Sequence, residues 1–228
     1  MKILAADTGT RINTVAVWED GRILAETVVD CHRAHSERLL ETTQWVMKEA
    51  ATALAQLDAL AVSIGPGSFT GLRIGVAAWK GLALGAGLPL AGVCSLDALA
   101  RPFQGLSWPV CAMLPARGDE VYAAALPSEP GAPAMFGPGA ASLDEVLRDA
   151  PRGALFTGEG AVMHRDVIEA RDPAALFPLR ALTVPRASAV AEVGCAIIRA
   201  GTDGDPAAVS PLYLRKTQAE RLREQTAT

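Results

Sequence analysis

Lys2–Val29 reads KILAADTGTRINTVAVWEDGRILAETVV. Lys2 to Ala6 is an apolar run of strand length. Asp7-Thr8-Gly9-Thr10 is turn chemistry, because Asp and Thr bond nearby backbone and Gly tolerates any φ. Thr14 to Trp18 alternates and predicts a second strand. Glu19-Asp20-Gly21 supplies a hairpin turn, and Arg22 to Val29 predicts a third strand. Beyond it the apolar period lengthens. Leu39, Leu40, Thr43, Met47, Ala50 and Leu54 share one face of a helix expected from Ser36 to Leu54. Leu57 to Ile64 reads as a strand, Gly65-Pro66-Gly67-Ser68 as a loop, and Thr70 to Ala86 as a helix capped by Ser68 or Thr70. Pro89 to Val93 is a strand, and Ser95 can cap a short helix to Ala100.

The order is three strands, helix, strand, helix, strand, helix. Three hairpin-linked strands followed by β-α-β steps imply a mixed sheet, unlike the repeated βαβ of a dinucleotide-binding domain. This is the order of the ribonuclease H-like fold. The rest reads as a worn copy. Strands are expected at Val110–Leu114, Val121–Leu126, Ala134–Gly137 and Ala154–Thr157. Ser142 to Glu145 is a capping box opening a helix. Further helices are expected near Ala161–Ala170 and over Ala187–Ala200, the latter stopped by Gly201. Pro211 to Arg215 closes the pattern as a strand or docking segment. The expectation is an α/β protein of two lobes, 1–103 and a smaller 104–228, each a mixed sheet flanked by helices, with the seam near Arg101–Ser107.

Composition narrows the function. The 228 residues are 50% apolar, with 11 aromatics and 43 alanines. A core of small aliphatics suits helices laid closely on sheets. Net charge is −4, and residues 1–100 and 101–228 each carry −2. A protein that grips nucleic acid by itself shows a basic stripe; here only Arg215 to Glu224 is locally basic, four against two. The four cysteines stand apart, with no CxxC pair, which fits reduced thiols rather than a disulfide framework. The longest uncharged run, Gly81 to Leu96, has 16 residues, short of the roughly 20 of a membrane span. A soluble, cytoplasmic protein is expected.

Few residues offer chemistry. Asp7-Thr8-Gly9-Thr10, a D-x-G-T turn after a first strand, resembles the first phosphate loop of the actin, Hsp70 and sugar-kinase superfamily. That superfamily holds Mg²⁺ with a second Asp at the matching place in the other half. Here Pro115 stands there, so Asp7, Thr8, Gly9 and Thr10 are read as a degenerate phosphate loop or a plain Asx-turn. The glycines from Gly65 to Gly71 fit neither a Walker A loop nor G-x-G-x-x-G. Cys31, His32 and His35 lack the further ligands a zinc site needs, and no metal site is expected.

Gly65-Pro66-Gly67-Ser68-Phe69-Thr70-Gly71-Leu72-Arg73-Ile74-Gly75 followed by Lys80-Gly81-Leu82-Ala83 resembles the signature of the bacterial TsaB family, formerly YeaZ. Residues 3–8, 35–40, 92–99, 116–122 and 211–215 resemble its other marks. The resemblance implies an actin-like fold without a working ATPase. It implies a non-catalytic subunit of the complex that makes N6-threonylcarbamoyladenosine beside the anticodon of ANN-decoding tRNAs. It further implies pairing with a TsaD transferase subunit, a TsaE ATPase in the same complex, homodimers when alone, and tRNA contact only through the complex. ATP and metal would belong to the partners, with no intrinsic cofactor. Pro115, Glu41 and Trp79 depart from the family's usual residues. The alternatives are an actin-like ATPase or kinase, and an inactive relative of glycoprotease-type peptidases.

The expected pairing surface is the outer side of the two helices in the first lobe, with His35, Arg38, Leu39, Trp45, Gly71, Leu72, Gly75, Trp79 and Leu82 as candidates. Gly71, Gly75 and Trp79 recur at i, i+4, i+8 and so share a face. A helix-interior glycine marks close packing, either against a partner or against the protein's own sheet. The Thr70–Ala86 helix is apolar over about 260° of its circumference, more than the roughly 100° a surface helix needs, so it is either sandwiched within the lobe or partnered.

Overall fold

A computed structural model describes residues 1–31, 35–201 and 204–214, with backbone alone at 35–37. The strands of the opening segment form as expected: β1 (Lys2–Asp7), β2 (Ile12–Glu19) and β3 (Arg22–Asp30). They pair antiparallel, β1 with β2 and β2 with β3. Helix α1 (His35–Glu49) leads to β4 (Ala59–Gly65), α2 (Phe69–Ala86), β5 (Leu90–Cys94) and α3 (Ser95–Ala100). β4 and β5 add in parallel, giving the order β3-β2-β1-β4-β5. The second sheet repeats the scheme without a fifth strand. β6 (Val110–Pro115), β7 (Glu120–Leu126) and β8 (Phe136–Ser142) are hairpin-linked. Next come α4 (Leu143–Asp149), β9 (Leu155–Thr157), α5 (Glu159–Met163) and α6 (Arg165–Arg171). The order is β8-β7-β6-β9, with β9 parallel to β6.

Alternation along β1 sends side chains to both faces of the first sheet. Leu4 and Ala6 join a cluster with Leu39 and Val46 of α1 and Val76, Trp79 and Ala83 of α2. Ile3 and Ala5 face the other way, onto Ala98 of α3 and a helix from the far end of the chain, α7 (Ala187–Arg199). That helix supplies Ala187, Val190, Ala191 and Cys195. A Cβ on its Gly194 would lie 2.6 Å from the Ala61 Cβ, so the helix rests directly on the sheet's alanines. Eight of the 43 alanines meet in this cluster.

Helix α7 lies beyond the expected boundary at 103/104 and packs on the first sheet. The chain leaves the first lobe, builds the second sheet, and comes back. Thr14 Oγ1 donates to the Pro185 carbonyl at 3.2 Å, and Ser188 N–H donates to Glu26 at 3.0 Å. The apolar stretch Arg180–Arg199 has the length and hydropathy of a membrane span, but here it is divided. A 3-10 turn covers Arg180–Leu182, and α7 begins only at Ala187.

Local differences have local causes. Helix α1 stops at Glu49, not Leu54, because Ala51 takes φ +47°. Ala51 N–H then bonds the Lys48 carbonyl, and Thr52 N–H that of Met47. That is a Schellman ending without its usual glycine. Cys94, not Ser95, sits at the N-cap of α3. The helix expected near 161–170 is two helices, α5 and α6, divided at His164. The capping box at Ser142 and Glu145 forms as expected.

Candidate functional site

Asp7 ends β1 and is fully buried. Its Oδ1 accepts the Gly9 N–H at 3.0 Å, an Asx-turn. Burial pushes its carboxyl up to about 6, only partly offset by the Gly9 amide, and its Oδ2 has no hydrogen-bond partner among the described residues. Thr8 is buried too, and its Oγ1 donates to the Gly71 carbonyl in α2 at 2.8 Å. The loop that could have met phosphate is covered by the chain's own β4–α2 turn. Ser68 N–H donates to the Gly9 carbonyl at 2.6 Å, and a Cβ on Gly67 would fall 2.3 Å from that same oxygen. Gly9 itself is buried, with Leu72 and Ser95 against it. In the second lobe Pro115 ends β6, with no carboxylate to offer a metal. Among the described residues no three His, Cys, Asp or Glu gather around a common point. Cys31 is buried; His32 and the His35 side chain lie outside the described residues.

The signature segment is mostly packing. Ser68 caps α2, accepting from Gly71 N–H at 3.3 Å. A Cβ on Gly71 would lie 2.1 Å from the Thr8 carbonyl, and one on Gly75 2.2 Å from Thr8 Oγ1. Only glycine lets α2 ride this close over the β1–β2 turn. One turn on, the buried Trp79 donates its indole N–H to the Leu4 carbonyl at 3.2 Å. Gly71, Gly75 and Trp79 do share a face, but it faces the protein's own β1. With Leu39 and Leu72, each 1% exposed, they are removed from the pairing surface.

Of the remaining candidates, Arg38 and Trp45 are exposed and Leu82 is half-buried. Leu40, expected on the same face as the buried Leu39, joins them on the outside, as do Leu84 and Ala77. Leu40 is 53% exposed on α1, Leu84 is 62% exposed on α2, and Ala77 is exposed between them in sequence. Ala77, Gly81 and Leu84 recur at i, i+4, i+7, a signal available from the helical wheel but masked by a helix apolar nearly all round.

Arg73 and Lys80 lie on the same side of α2, as their spacing predicts. That side holds down the segment 204–214. Arg73 Nε donates to the Tyr213 hydroxyl at 2.9 Å, with its guanidinium 3.9 Å over the Phe69 ring. Lys80 Nζ donates to the Ala207 and Val209 carbonyls at 3.0 and 2.9 Å. Leu212 N–H donates to the Ile64 carbonyl at 2.7 Å. Pro211 to Leu214 is therefore a docking segment and not a strand; Arg215 lies outside the described residues.

A family model described as "TsaD: tRNA N6-adenosine threonylcarbamoyltransferase" matches residues 28–221. The chain is 44% identical over 124 residues to the tRNA threonylcarbamoyladenosine biosynthesis protein TsaB of Escherichia coli, a match covering 54% of this chain and 53% of that protein. It thus spans about half the length of that relative. It is 30% identical over 228 residues to the protein of the same name from Bacillus subtilis, covering 96% of each. A Pseudomonas aeruginosa crystal structure, described as having similarity to peptidase YeaZ, superposes with TM-score 0.77 at 28% identity, over 94% of this chain and 99% of that one. The two linked mixed sheets are those of the actin-like ATPase fold.

Proposed function

The chain belongs to the TsaB (YeaZ) family, and from that premise we propose that it is a non-catalytic subunit in the formation of N6-threonylcarbamoyladenosine on tRNA. One observation carries the reading. In the loop that would hold phosphate in a working ATPase of this fold, Gly9 is covered by Gly67 and Ser68 of the same chain. The chemistry then belongs to partners: a TsaD-like subunit that transfers the group, and a TsaE-like ATPase joining the complex. ATP and metal sit on those chains, and tRNA is met only through the complex. With net charge −4, this chain has no electrostatic grip of its own. Its place is the cytoplasm, away from membranes.

The surface offered to the TsaD-like subunit, and to a second copy when no partner is present, is the outer side of α1 and α2. Trp45 and Leu40 on α1 and Leu84 on α2 are exposed apolar anchors of the kind that carry binding energy at interfaces. His35 and Arg38 belong to the same end of α1. The test mixes purified chain with a TsaD-like subunit, its accessory proteins, tRNA, threonine, bicarbonate and ATP. Modified tRNA is expected only when this chain and the TsaD-like subunit are both present. Trp45→Arg and Leu84→Arg should abolish co-elution with that subunit while melting within about 0.5 kcal/mol of the parent. Modification by this chain alone, supplied only with the acyl-adenylate, would overturn the reading.

A further inference from the structure

A cleft of about 650 Å³ lies between the two lobes. Both lobes build it. Thr10 and Ile12 come from the β1–β2 turn and the start of β2, Val28 from β3, Leu114 from β6 and Val162 from α5, and the returning segment 180–186 closes it. Its volume is that of a small-molecule site, and its walls are mainly hydrocarbon with a few polar groups, the usual make-up of such sites.

The polar groups select the sign of the ligand. Three guanidiniums line the cleft. Arg11 is engaged by Asp30 at 3.0 Å. Arg186 Nη2 is engaged by Glu26, which also accepts from Ser188, but Arg186 Nε is buried without a hydrogen-bond partner among the described residues. Arg180 is exposed; its carbonyl accepts from the Thr183 hydroxyl at 2.8 Å, while its guanidinium has no ion pair or hydrogen bond among the described residues. Among the described residues the one acid of the lining, Glu159, is solvent-exposed. With Arg11 and Arg186 engaged by their own acids, Arg180 is the lining arginine left without an acid partner among the described residues. A magnesium polyphosphate does not fit this arrangement. The Gly9 backbone is covered by Gly67 and Ser68, and Pro115 stands where a second carboxylate would hold the metal.

We propose that the interlobe cleft binds a small organic monoanion, its carboxylate or sulfonate on Arg180 and its apolar body on Ile12, Val28, Leu114 and Val162. Because both lobes contact the ligand, binding holds their relative placement and raises the melting temperature.

The probe is 8-anilinonaphthalene-1-sulfonate, followed by fluorescence titration and by thermal melting of the full chain. One saturable site is expected, indifferent to Mg²⁺ and not displaced by ADP. Arg180→Leu should weaken it at least tenfold, the loss of a charge-assisted bond. Ala181→Trp, at an exposed lining position, should fill the cleft and abolish it. Trp45→Ala with Leu84→Ser should leave it unchanged, placing the dye away from the helix surface. N-phenyl-1-naphthylamine, the same body without the sulfonate, should bind at least tenfold more weakly. Equal affinity for the neutral probe, displacement by ADP, or binding lost in the helix variant and kept in the cleft variants would overturn the proposal.

Discussion

The two sheets run the same course, yet their strand ends have diverged. In each, the helix after the first parallel strand is pressed onto the central strand by glycines. Gly71 and Gly75 of α2 meet Thr8 after β1. Gly158 and Gly160, at the start of α5, meet Met113 and Leu114 of β6. The packing device survives in both halves. The polar chemistry survives in one: Asp7, Thr8, Asn13 and Thr14 are buried together around the end of β1, while β6 ends in Leu114 and Pro115. Even in the first half, the polar groups serve structure. Thr8 ties α2 down, and Asp7 holds the turn. Thr8 thus has its bond within the chain, whereas the second carboxyl oxygen of Asp7 is buried without a hydrogen-bond partner among the described residues.

The largest test of this comparison is Gly75→Arg. With the Cβ already 2.2 Å from Thr8 Oγ1, urea denaturation should show a loss of roughly 3 kcal/mol or more. The milder Gly75→Ala should still lose about 1–3 kcal/mol, despite the roughly 1 kcal/mol that alanine gains over glycine in a helix. The matching Gly160→Ala, whose Cβ would meet Met113 at 3.1 Å, should lose less. Equal losses in both halves would break the distinction, and a folded Gly75→Arg protein unable to pair would return that face to the interface.

Next in size is Asp7→Asn. The folded carboxyl titrates near 6 and the unfolded one near 3.8. The native state therefore holds the extra proton between those values. Stability from this group is full below about pH 4 and is lost as pH rises through 6. At pH 7.5 the buried charge costs up to about 3 kcal/mol, at 1.36 kcal/mol per pH unit. The asparagine variant should melt higher than the parent at pH 7.5 and show a flatter slope from pH 4 to 6. An unchanged slope would place that titration elsewhere. The smallest of the three effects is expected from Trp79→Phe, which removes the indole bond to the Leu4 carbonyl at a cost of about 1–2 kcal/mol.

Most of the strand order was legible because hairpin turns and period-two alternation are local. The glycine and tryptophan face of α2 was also legible as a face. Its direction was not, because Ile74, Ala78 and Leu82 make the helix apolar on the other side as well. The buried indole N–H of Trp79, with its own acceptor, decides the matter in three dimensions only. The role of α7 was hidden for a different reason. Val190, Ala191 and Cys195 announce an apolar stripe, but nothing in a stripe says which sheet it covers. Phe69 and Arg73 belong to the signature segment, while their contact with Tyr213, 140 positions away from Arg73, has no local trace.

The homeward path of α7 also sets the order in which a growing chain can become a protein. When a ribosome has released the first hundred residues, Ile3, Ala5, Ala16, Ala61 and Ala91 form a bare plane of small hydrocarbons. Their cover is still unsynthesised. That plane stays open to water, and to other nascent chains, until α7 emerges almost a hundred residues later. The interposed sheet can condense in the meantime as a self-contained insert. The half translated first is therefore the half completed last.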